Sequence, residues 1–114
     1  MTAATKHIEI EAYASFELDI VCKDSQGNPV DVTGCSAASQ IRRTPECPDV
    51  LAAFTVLVSQ DASGLLRLQL PASESAKLQD VLEASWDLLL TDSAGRPMRL
   101  ASGKVHVLPA VTRP

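Results

Sequence analysis

Apolar and polar residues alternate with a period of two through most of this chain, and a backbone patterned this way buries a single face only as a β-strand. Ile8 and Ile10 share one face of residues 7–11, with Glu9 and Glu11 on the other. Phe16, Leu18, Ile20 and Cys22 repeat the pattern, opposed by Glu17 and Asp19. Residues 36–43 read more weakly, with Ala37, Ser39 and Ile41 inward. Phe54, Val56 and Val58 mark a fourth strand, and Leu66, Leu68 and Leu70 a fifth that keeps Arg67 and Gln69 on its wet side. Trp86, Leu88 and Leu90 mark a sixth. Val105 and Val107 close the series after Met98 and Leu100.

Turn chemistry separates these runs, and one turn is written twice. Asp24-Ser25-Gln26-Gly27-Asn28-Pro29 and Asp92-Ser93-Ala94-Gly95-Arg96-Pro97 share the pattern DS-x-G-x-P, each after a run of apolar residues. Asp and Ser can bond the backbone ahead, Gly accepts a positive φ, and Pro removes a ladder donor at the exit. Two equivalent strand–turn–strand corners at one end of a fold explain the repeat. Convergent turn chemistry and duplication both remain open, as do a purely structural role and a pair of loops presented for binding. Asp61-Ala62-Ser63-Gly64 is expected to join the fourth and fifth strands as a hairpin.

Residues 72–80 break the alternation. They favour a helix, with Pro71 stopping the strand before it and Ser73 a candidate cap. Ala76 and Leu78 would face inward over a turn or two. Together these features predict an all-β chain: a single antiparallel β-sandwich of about seven strands with one short helical crossover. A length of 114 residues suits one domain with its own core. The sandwich is expected over residues 1–106, followed by an extended tail over 107–114.

Little in the sequence points to catalysis or to a cofactor. A net charge of −4, with basic residues scattered apart from Arg42-Arg43, argues against a reader of the phosphate backbone. There is no G-x-S-x-G elbow, no phosphate-binding glycine loop and no D-x-D-x-D-G calcium loop. His7 and His106 fall on the polar sides of their strands. Cys22, Cys35 and Cys47 lack paired spacing, which makes a poor zinc site. They are expected to be reduced and mostly buried, with one disulfide as the alternative. Trp86 shares a face with Leu88 and Leu90 and is expected in the core, not as an exposed platform for sugars. No apolar run approaches a membrane span, and the first residues lack the apolar core of a signal peptide, so synthesis and retention in a cytoplasm are expected.

Two segments are candidates for contact with other proteins. Arg42, Arg43, Pro45 and Pro48 belong to a stiff excursion between strands, with two prolines in four residues. Such a loop could blunt a sheet edge or touch a neighbour. Leu108, Pro109 and Val111 belong to the apolar, proline-bounded tail, which would be extended and could dock on a partner.

The order of several short motifs resembles a family of small tailed-bacteriophage and prophage proteins. These motifs are Asp31-Val32-Thr33-Gly34 after the first repeated turn, Gln40-Ile41-Arg42, Ser73-Glu74-Ser75-Ala76, Trp86-Asp87-Leu88, and Thr91-Asp92 with Gly95. They continue in Leu100 with Gly103-Lys104-Val105-His106-Val107, and in Pro109-Ala110-Val111-Thr112-Arg113 near the end. The likeness covers roughly residues 8–113. Cys35 departs from it where relatives often carry an aromatic, and Ala110 where an acidic residue is common. The resemblance implies an immunoglobulin-like virion component of the tail, baseplate or fibre attachment. It would be made in the bacterial cytoplasm, act in several copies through contacts with other phage virion proteins, and perform no catalysis. A capsid decoration protein and a host-glycan-binding module are the alternatives.

Overall fold

A computed structural model describes residues 4–60 and 63–113. The alternating segments become strands: β1 (Ala4–Thr5), β2 (Ile8–Glu11), β3 (Phe16–Val21), β4 (Ser36–Arg42), β5 (Ala52–Val58), β6 (Leu65–Leu70), β7 (Glu83–Thr91) and β8 (Pro97–Leu108). The link between β6 and β7 holds α1 (Ala72–Ser75) and a 3-10 turn, Ala76–Leu78. One sheet runs from β1 and β2 through β8 and β7 to β4; the other runs from β3 through β6 to β5. β5 joins them, pairing with β4 through Ala52–Phe54 and with β6 through Thr55–Val58. The third, sixth and fifth strands thus oppose the fourth, seventh and eighth, which is the strand order of an immunoglobulin-like sandwich.

The inward residues of both sheets meet in one core. Leu66, Leu68, Leu70, Leu88, Ile10, Ile41 and Val105 are essentially inaccessible. Each such side chain contributes about 1.5–3 kcal/mol relative to exposure. Trp86 is 3% exposed and meets the ring of Phe54 edge-on, with centroids 6.3 Å apart. Cys22 is buried and Cys35 and Cys47 are half-buried, all three as free thiols; burial pushes the Cys22 thiol up, with a smaller push from Cys35.

The structure departs from the sequence expectations in four places. The sandwich is mixed: β1 and β2 lie parallel to β8 because the chain crosses over before reaching β3. The domain does not stop at residue 106: β8 continues through Leu108, with Val107 buried opposite Ile10, so the extended tail begins at Pro109. Ser73 does not cap the helix; Pro71 occupies the cap position with no side-chain hydrogen bond. Of the expected turn at 61–64, Asp61 and Ala62 lie outside the described residues, while Gly64 has a φ of 71° and packs against the Val30 and Cys22 carbonyls.

Ser75, not Ser73, ties the crossover down. It is fully buried, and its Oγ–H donates to the Ala14 carbonyl at 2.7 Å in the turn between β2 and β3. Ser75→Ala would leave that carbonyl without its partner and should cost about 1–3 kcal/mol in a urea melt. Ser73→Ala should stay within about 0.5 kcal/mol.

Candidate functional site

Both expected contact segments leave the sandwich at one end. Arg42 pairs with Ser85 and Glu83 with His106, so β4 and β8 finish where β7 begins. Arg42 does not reach outward. Its Nη1 donates to the Cys47 carbonyl at 2.9 Å and its Nη2 to Gln40 Oε1 at 3.0 Å, which closes the loop that follows it. Arg43, Pro45 and Pro48 are exposed along that loop.

The tail residues divide in a similar way. Leu108 is the last residue of β8, opposite Glu11 and 37% exposed. Two residues on, the Gln79 side-chain amide grips the backbone of Ala110. Gln79 Oε1 accepts from the Ala110 N–H at 2.8 Å, and its Nε2 donates to the Ala110 carbonyl at 3.0 Å. Val111 then projects with 99% of its surface exposed. Nothing in the sequence pattern marks Gln79 for this role, because a lone glutamine in a helical link carries no spacing signal. The tail lines a shallow groove with Tyr13, whose φ of 67° is unusual for a bulky residue.

A larger groove of about 780 Å³ lies on the outer face of β4, β7 and β8. Arg42 lines it from the end of β4, Pro45 from the loop that follows, Asp87, Arg99 and Lys104 from β7 and β8, and His7 from the link between β1 and β2. Arg99 Nε donates to Asp87 Oδ2 at 3.0 Å. His7 Nδ1 accepts from the Lys104 N–H at 3.1 Å, which puts the neutral ring's proton on Nε2. These residues come from four separate segments, so no local motif announces them. Among the described residues no three His, Cys, Asp or Glu side chains are grouped to hold a metal.

The twin turns adopt one geometry. Asp24 Oδ1 accepts from the N–H groups of Gln26 and Asn28 at 2.9 and 3.0 Å; Asp92 Oδ1 accepts from Ala94 and Arg96, both at 2.9 Å. Gly27 and Gly95 have φ of 84° and 83°. The carboxylates are therefore engaged in shaping their own loops. The first loop's exit comes near the second: a Cβ built on Gly34 would lie 4.0 Å from Ser93 Cβ.

The Arg96 N–H, then the Ala94 N–H and the Arg96 guanidinium, hold the Asp92 carboxyl below the usual carboxylate range against a smaller burial cost. Its stabilising contribution is therefore complete above the ordinary value of about 3.9 and fades as pH falls through the lower folded value. Asp92→Asn should lower the melting temperature at pH 7, and the difference from the parent should shrink steadily below about pH 4. Melting curves of both proteins across pH 2–7 check this.

No protein-family profile matches this chain, and no curated protein matches it. Among solved structures, the Lin-41 filamin domain is similar at 13% identity, over 90% of this chain and 84% of that one, with a TM-score of 0.46. The immunoglobulin-like assignment rests on the strand order given above.

Proposed function

We propose that this protein is a structural subunit of a bacteriophage virion, associated with the tail and working through protein–protein contacts. The order of motifs from Asp31 to Arg113 supports a phage origin. The observation that carries a contact role is the tail. Gln79 fixes Ala110, and the chain beyond it is presented with Val111 fully exposed. A segment anchored at its root and bare at its tip suits repeated contact around a symmetric ring. Burial of Trp86 in the core takes away the aromatic platform that a glycan-binding module would use.

The test is the copy number in purified virions, by quantitative mass spectrometry against the major capsid protein. A count on the order of 3 to 30 fits a ring on the tail or its fibres. A count on the order of hundreds would make it a head decoration protein. Absence from particles would remove the virion role. A chain ending at Ala110 should fold normally, because the sheet and the Gln79 clamp are intact, and should fail to enter particles. Normal incorporation of that shortened chain would overturn the role given to the tail.

A further inference from the structure

β3 is the last strand of its sheet: it pairs with β6 over Phe16–Val21 and, among the described residues, with no strand on its other side. Cys22 gives the direction of its backbone groups, since its N–H donates to the Gly64 carbonyl at 2.8 Å on the β6 side. Alternation then turns the N–H and C=O groups of Phe16, Leu18 and Ile20 toward β6, and those of Glu17, Asp19 and Val21 outward. The side chains of Phe16, Leu18 and Ile20 face the core opposite Leu70, Leu68 and Leu66. Those leucines are completely buried, yet the three β3 residues are only half-buried. The cause is topological. In sandwiches of this strand order the first strand can flank the second. Here β1 and β2 both lie on β8, and the flank of β3 stays open.

We propose that the open edge of β3 docks an extended segment of another protein, which adds as a further strand and carries alternating apolar and basic side chains. The outward backbone groups supply the ladder. The apolar positions of the incoming strand complete the cover over Phe16, Leu18 and Ile20. Its basic positions answer Glu17 and Asp19, two carboxylates that share the single Arg67 guanidinium at 3.6 and 2.8 Å. A second copy of this chain does not fit the edge. In the longest antiparallel self-pairings with matched faces, Glu17 falls against Asp19, or Asp19 against its own counterpart, and like charges directly opposite repel. The inference is independent of which assembly the protein serves.

Amide hydrogen exchange by NMR tests it, using the full chain and two hexapeptides, one alternating Lys and Val, the other Glu and Val. In the free protein, the Glu17, Asp19 and Val21 amides should exchange at least about tenfold faster than those of Leu18 and Ile20. The Lys–Val peptide should slow those three by about tenfold or more, and the Glu–Val peptide should not. The double variant Glu17→Lys, Asp19→Lys, checked for an unchanged fold by circular dichroism, should reverse the preference. The proposal falls if the three amides are already protected in dilute protein. It also falls if their protection rises with protein concentration alone, which would put a second copy on the edge. Equal effects of both peptides, no effect of either, or an unchanged preference in the double variant would overturn it as well.

Discussion

Gly103→Ala should cost about 4 kcal/mol or more and lower the melting temperature by about 15 °C or more. Gly103 sits within β8 opposite Trp86, where the N-terminal segment passes between β1 and β2. A Cβ there would stand 2.0 Å from the Lys6 carbonyl oxygen and 2.6 Å from its carbon. Both are backbone atoms, so no side chain can swing aside. Lys6 is held on both of its peptide groups: its N–H donates to the Ser102 carbonyl at 2.8 Å, and its carbonyl accepts from the Trp86 indole N–H, also at 2.8 Å. Relief of the clash requires the first strands to lift from β8, which uncovers Ile8 and Ile10. A thermal melt measures the loss, and a melt within about 3 °C of the parent would show that the crossing relaxes at little cost.

Trp86→Ala should cost about 4 kcal/mol, and Trp86→Phe about 2. The two losses have different origins. The alanine variant empties a site 3% exposed and removes the edge-on contact with Phe54. The phenylalanine variant keeps a ring there but strips the Lys6 carbonyl of its donor. Urea melts of both give the comparison. If the phenylalanine variant matches the parent, the indole hydrogen bond contributes nothing net. If it matches the alanine variant, the hydrogen bond outweighs the packing of the ring.

The sheets were the most legible part of the sequence, because period-two alternation reports burial directly. Leu66, Leu68 and Leu70 stand where their spacing puts them. One sign of a finer feature was also present in the pattern. Met98 and Leu100 occupy even positions, whereas Val105 and Val107 occupy odd ones. A single regular strand cannot bury both sets. The structure resolves this with a bulge: Leu88 pairs with Ala101 but Leu89 with Arg99, so Leu100 and Ala101 are both buried in succession. Gly103 inside a strand pattern was a further signal of close backbone approach.

The candidate site was harder to read. Arg42 and Val111 look alike as surface candidates in a sequence, yet one is engaged within its own loop and the other is bare. The Gln79 clamp joins residues 31 positions apart through a side chain with no periodic signature. The parallel placement of β1 and β2 was invisible because alternation says which face is buried and never which neighbour covers it.

That placement also bears on how the chain is made. Ile8 lies beside Val105 and Ile10 beside Val107, so β2 depends on β8, which is made after the other seven described strands. Contacts spanning nearly the whole chain form late and slowly, because a long loop must close before they contribute. On the ribosome, β2 and the Trp86 indole would wait until β8 has emerged. A nascent chain arrested before residue 97 would contain β3 to β7 but lack β8, so β7 would have an unpaired edge and Ile8 and Ile10 would have no strand to lie against.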